Sequence, residues 1–440
     1  MTTNEGFDRR LSTWLGRDAV GHVPDHLDEV LVRTAATRQR PWWSSPERWL
    51  PMDLTTRANA LTPPRFGRPL IVLGLLLVAL IVGALLVVGT RRSVPPPFGL
   101  ARNGVIVTSH DGDIYKVDPA TNAATLLIGG DSQDFAPGFS RDGLKISFLR
   151  APADANDQSG LAMMVADADG SNVRQLTPFV QGLDWADWSA DSKQIAYLST
   201  EVNTTPGLTN GPPHTINVVN IDGTGIRTLD VPGDAQFVSW LPPDGREIVF
   251  RSAPAGPRDP GPRLLAVRAD GSARRSLTFG MPQNESDLVA NDFMTPAAAP
   301  DGSRLTYSSN GAITHIHVLD LNTRSDLTLP DPTGGFTNQF GSAYFSPDAR
   351  SVGYLRDDPQ DSTFQFVVAP VDGSSTGVPI GPRLPEPTGD VNWAFAPDGK
   401  SVVVDYDKDG TVWRLPVDGS PGTLLARGSS AFGDIQRLAP

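Results

Sequence analysis

The hydrophobic pattern divides the chain at one place. From Pro69 to Thr90 the residues are apolar throughout, with Arg68 before the run and Arg91 and Arg92 after it. A helix over these residues would be about 33 Å long, against about 30 Å for a bilayer core. The run therefore predicts a single transmembrane helix over 69–90. It is not a secretory signal, because such signals stand at the extreme N-terminus. Upstream, Phe7, Leu11, Trp14 and Leu15 recur at helical spacing, as do Leu27, Val30, Leu31 and Ala35. They predict two short amphipathic helices, about 5–16 and 24–39, with Pro24 at a first helical position and Pro41 as a stop. Trp42, Trp43 and Trp49 follow in a proline-punctuated stretch and read either as an anchor or as a cover for the helical pair.

Downstream the period changes. After Ser93-Val94-Pro95-Pro96-Pro97-Phe98, a stiff spacer, apolar residues come in short runs bounded by turn residues. One unit recurs: an aromatic, small residues, an Asp-Gly or its variant, then a β-rich run. It reads Phe139-Ser140-Arg141-Asp142-Gly143 before Ile146-Ser147-Phe148, and Trp188-Ser189-Ala190-Asp191-Ser192 before Ile195-Ala196-Tyr197. It returns around Asp244, Asp301, Asp348 and Asp398, so the six aspartates stand 49, 53, 57, 47 and 50 residues apart. A period near 50 with four strands per unit predicts a mainly β chain, a β-propeller. A second set of hairpins, turning at Asp169-Gly170, Asp222-Gly223, Asp270-Gly271, Asn322-Thr323, Asp372-Gly373 and Asp418-Gly419, gains a seventh member at Ile114–Leu127. The tail Phe432–Leu438 offers the missing inner strand, which makes seven blades closed by both ends of the segment; six blades with a stray hairpin is the alternative. The expected domains are an N-terminal helical segment 1–68, the span 69–90, a Pro-rich linker 91–102 and a propeller 103–438.

The repeated Ser-Pro-Asp-Gly-like turn followed by Ile-x-Phe/Tyr resembles the TolB-type, WD-repeat-like bacterial propellers, over about residues 103–438. That resemblance implies the fold; such propellers serve as docking platforms, sensors and peptidase appendages. The peptidase relatives carry a downstream α/β-hydrolase domain, and peptidase activity is not expected here. The layout of residues 1–90 resembles a transmembrane anti-sigma factor. The zinc-binding form of that family needs cysteines, so only a zinc-free variant would apply here.

Composition narrows the reading. With no cysteine, disulfides, thiolate metal sites and cysteine catalysis are excluded. The net charge of −12 argues against sequence-independent nucleic-acid binding. Arginines flank the span on both sides and leave its orientation open; the slightly basic front and acidic back place the N-terminus in the cytoplasm and the propeller outside.

Candidate sites are few. Asp405, Asp407 and Asp409, followed by Gly410, match the start of a calcium loop, but Pro416 stands where the bidentate Glu belongs. The repeat register makes the same residues a hairpin turn, which is the preferred reading, with calcium as the alternative and no other cofactor expected. His315 and His317 share one strand face without a third ligand. The repeat aspartates Asp142, Asp191, Asp244, Asp301, Asp348 and Asp398 are expected to brace their turns. The resulting expectation is a membrane-anchored, extracytoplasmic, non-catalytic propeller that binds or senses a protein, peptide or glycan. One alternative is an anti-sigma-like regulator holding a sigma factor on residues 1–66. The other is a propeller hydrolase or lyase with a channel-mouth site.

Overall fold

The computed structural model describes residues 72–78, 80, 94–154, 159–200, 213–253, 263–277, 297–310, 314–330, 343–358, 363–385, 391–406, 410–427 and 431–440. The chain divides into two compact units, Met1–Arg91 and Arg92–Pro440. The second is a seven-bladed β-propeller: seven four-stranded antiparallel sheets, each running in chain order except the first. There the C-terminal strand Ala431–Leu438 lies innermost and pairs with Arg102–His110, so the two ends of the ring share one blade. The six-bladed alternative is excluded. From the second blade to the seventh, the innermost strands are Asp134–Phe139, Asp184–Trp188, Asp234–Trp240, Ala297–Ala298, Tyr344–Phe345 and Trp393–Phe395.

Local chemistry makes the inner hairpins. In the second blade, Ser140 Oγ donates to Asp142 Oδ1 at 2.6 Å and accepts the Lys145 N–H at 2.9 Å, while Asp142 Oδ1 accepts the Leu144 N–H at 3.1 Å. The turn is thus tied at both ends by two short side chains. The pattern repeats with Ser189 and Asp191, and with Ser346 and Asp348.

The core lies between blades. Each apolar cluster joins two neighbours, as where Ala196, Leu198, Ile216 and Val218 of the third blade meet Trp240, Ile248, Phe250 and Val267 of the fourth. A fully buried side chain such as Phe250 contributes about 2–3 kcal/mol there. Polar atoms of the joints are satisfied across blades too: Trp188 Nε1 donates to Ser147 Oγ at 2.9 Å, and Trp240 Nε1 to the Asp187 carbonyl at 3.0 Å.

The expectation of a membrane-anchored chain is corrected. Among the described residues no helix is long and apolar enough to cross a membrane; the helical residues of the 69–90 run that are described are 72–78 and 80. With no span shown, the single-pass location, the cytoplasmic N-terminus, the extracytoplasmic ring and the anti-sigma layout with its partner lose their support. The two helices expected at 5–16 and 24–39 lie outside the described residues, as does the proposed sigma-factor surface of residues 1–66.

Candidate functional site

The two faces of the ring differ. On one, the turn face, short hairpins link first to second and third to fourth strands. The other, the loop face, carries the second-to-third and blade-to-blade connections, and the strand ends that bracket 201–213, 254–262, 277–296 and 329–343 all open there. Long connections on a rigid scaffold are where binding and catalytic groups concentrate.

The turn face is closed at its centre by the chain itself. Phe98 packs on the cluster between the third and fourth blades, with the Arg141 guanidinium of the second blade 5.0 Å from its ring centroid. Arg437 Nη2, from the first blade, donates to the Pro96 carbonyl at 3.0 Å and the Gly99 carbonyl at 2.7 Å. Ala101 N–H donates to the Pro397 carbonyl of the seventh blade at 2.9 Å, and the Gly99 backbone lies against the Pro347 carbonyl of the sixth. A segment this short reaches so many blades only by crossing the ring axis. It thereby covers the centre of the turn face.

At that face the innermost strands of three successive blades break their pairing register, between Phe135 and Gly138, between Asp184 and Ala186, and between Gln236 and Val238. Each bulge contains a non-glycine residue in the left-handed region: Ala136 at φ 51°, Trp185 at 37° and Phe237 at 63°. Such conformations cost about 1–3 kcal/mol each and collect at functional sites, where they re-aim side chains. Trp185 remains 44% exposed and meets Phe237 edge to face, with ring centroids 6.1 Å apart.

A polar network adjoins Phe237. Asp234 Oδ1 lies 3.1 Å from His214 Nδ1 and accepts the His214 N–H at 2.7 Å, and Asp234 Oδ2 accepts from Gln236 Nε2 at 3.2 Å. Gln236 Oε1 in turn accepts from the buried Arg251. In the second blade, Arg150 forms a bidentate pair with the buried Asp134, both bonds 2.7 Å. Those bonds hold the guanidinium pKa above its ordinary value. The His214–Asp234 contact orients the imidazole through Nδ1, with Nε2 at the far side of the ring, the geometry of a positioned base.

The residues singled out by sequence lie elsewhere. Asp142, Asp191, Asp244, Asp301, Asp348 and Asp398 stand on the turn face, and Asp244, Asp301 and Asp398 accept the N–H two residues on. Asp405 is buried at the loop-face end of its strand, its N–H bonded to the Asn392 carbonyl, while Asp407 and Asp409 fall outside the described residues. Among the described residues no group of three or more His, Asp or Glu is placed to hold a metal ion. His317 stacks on Tyr307 at 4.7 Å and 12°, with Nδ1 2.9 Å from Asp326 Oδ2. Sequence reading passed over Trp185, His214 and Asp234. A signal was present, for Asp134, Asp184 and Asp234 open three inner strands at intervals of 50 residues.

No protein-family model matches the sequence, and comparison with curated proteins finds no relative. Solved structures share the fold. A functionally unknown protein from Desulfotomaculum acetoxidans DSM 771 superposes with a TM-score of 0.54 at 15% identity, over 77% of this chain and 100% of that one. An oligogalacturonate lyase from Vibrio parahaemolyticus gives 0.51 at 13%, over 78% and 90%. TolB from Acinetobacter baumannii gives 0.44 at 16%, over 68% and 66%. The likenesses with TM-scores above 0.5 show the fold alone and no family, so kinship with TolB in particular is not established. The expectation of a non-enzyme is corrected as well: an oligogalacturonate lyase shares this fold, so the fold does not exclude catalysis.

Proposed function

We propose that the protein is a propeller lyase with its site at the loop-face mouth of the channel, acting on an acidic oligosaccharide. The observation that carries the reading is the His214–Asp234 pair, whose Asp234 lies three residues before Phe237 on one strand, with Phe237 in turn meeting the exposed Trp185. An indole face suits the C–H-rich face of a pyranose, since its π cloud is electron-rich. The oriented imidazole suits removal of a proton from a carbon next to a carboxylate. In the elimination, His214 Nε2 takes that proton and the C–H electron pair becomes the new C=C bond. The C–O bond to the leaving sugar breaks, and the departing oxygen takes a proton from water. Oligogalacturonate lyases with the same fold support the substrate class.

The test is incubation of the full chain with oligogalacturonate while the ultraviolet absorbance of an unsaturated product is followed. Absorbance growth that is abolished in His214→Gln supports the reading. Tight oligogalacturonate binding without any product would replace it by a saccharide-binding role, and neither binding nor product would overturn it.

A further inference from the structure

We propose that the turn-face end of the ring is a recognition site for a Pro-Pro-Phe peptide, and that residues 94–101 are its ligand in cis. The segment adds no strand, and the ring is closed without it by Arg102–His110 and Ala431–Leu438. It lies partly on the surface: Val94 and Leu100 are 52% and 51% exposed, while Pro95 and Ala101 are buried.

Its attachment has the form of peptide recognition. The polar anchors reach backbone carbonyls, those of Pro96 and Gly99, and one aromatic side chain, Phe98, supplies the apolar contact. Backbone bonds give affinity and a single ring gives specificity, while a run of prolines has little entropy to lose on docking. One receiving group, Arg141, is held independently of the segment. Arg141 Nη2 donates to Asp187 Oδ1 at 2.5 Å and Nε to the Trp188 carbonyl at 3.3 Å, which fixes the guanidinium that covers Phe98. Arg437 belongs to the ring-closing strand. A docked segment closes this end of the channel, and a released one opens it. A tether of this kind competes at millimolar effective concentration, so a free peptide is excluded while the segment is seated.

The experiment uses the full chain and a labelled peptide of the sequence Val94–Ala101, read by fluorescence anisotropy. The double variant P96A/F98A, which weakens the segment in cis, is expected to bind the peptide at least about tenfold more tightly than the wild type does. Adding R437Q to it is expected to remove that gain. Equal binding by wild type and variant, or none by a variant with wild-type circular dichroism, overturns the proposal. Hydrogen exchange on the wild type is a second measurement: amides in 94–101 are expected to exchange faster than those of Arg102–His110, and equal protection overturns the proposal as well.

Discussion

Asp187 on the innermost strand of the third blade accepts the Trp240 N–H of the fourth, with Oδ2 2.8 Å from the nitrogen. The same oxygen accepts Ser239 Oγ at 3.0 Å, and its partner oxygen holds Arg141 of the second blade. Asp434 does the equivalent between the first and second blades, accepting the Phe139 N–H at 3.0 Å. These carboxylates tie neighbouring blades alongside the apolar packing and the tryptophan hydrogen bonds of the joints.

Replacing Asp187 by Ala leaves Arg141 without its anion and the Trp240 N–H without its acceptor. A loss of about 2–4 kcal/mol in unfolding free energy is expected, because the group is mostly buried and serves three donors. A loss under about 1 kcal/mol by urea titration would show that packing alone holds this joint.

Asp434 carries a pH signature. Burial raises its carboxyl above the ordinary 3.8 despite the two backbone donors. The folded state thus keeps its proton longer than the unfolded chain does, so stability from this group is lost as pH rises above 3.8 through the folded value. Asp434→Asn keeps an acceptor and removes the ionisation. The melting temperature of the variant relative to wild type is expected to rise as pH increases, and a constant offset would contradict the assignment. Arg437 nearby is pushed down to about 10 by burial and by Arg141, in the sense expected of a crowded, dry joint.

The outer turns respond with the opposite sign. Asp169, Asp222, Asp270, Asp372 and Asp418 are held below 3.8 by hydrogen bonds from Ser171, Thr224, Ser272, Ser374 and Ser420. Their contribution is complete above 3.8 and goes as pH falls through the lower folded values. With those five hydroxyl residues changed to Ala, the stability lost between neutral and strongly acidic pH is expected to shrink. An unchanged acid titration would assign acid unfolding to other groups.

Gly143 separates local strain from contact. Its φ is +69°, and a Cβ would stand 2.1 Å from the Arg437 carbonyl oxygen. Gly399 has φ +70° in the matching turn, with its nearest neighbour a Leu100 methyl at 3.4 Å. Gly143→Ala is expected to destabilise by about 3 kcal/mol and Gly399→Ala by about 1, since only the first adds a backbone clash to the strained conformation. Equal losses by chemical denaturation would mean that the ring joint yields freely.

Trp185→Ala tests the mouth. Its exposure predicts a stability change within about 1 kcal/mol, with loss of saccharide turnover or binding. Unchanged turnover of oligogalacturonate would place the substrate away from this ring.

How much of this was legible in the chain follows from distance along it. The Ser-x-Asp-Gly turns were readable because Ser140, Asp142 and Lys145 bond to one another within five residues. The alternation of strands around them set the blade count for the same reason, as did the tail's apolar run. The span over 69–90 misled because hydropathy reports composition and not placement, and the described helical residues there are only 72–78 and 80. The repeat aspartates drew attention as a set, yet their regularity belongs to turns, while Asp134, Asp184 and Asp234 sit at the bulges.

By itself, then, the order of residues determined a ring of β-hairpins with a period near 50, since turn bonding and strand alternation act between near neighbours. Tertiary structure alone decided where the chemistry lies. Trp185 meets Phe237 of the next blade, and Phe98 packs on the joint of the third and fourth blades beneath Arg141 of the second. Arg437 meets Pro96 across 341 positions of sequence. No local pattern encodes such pairs, for their energy arises when the last strand closes on the first.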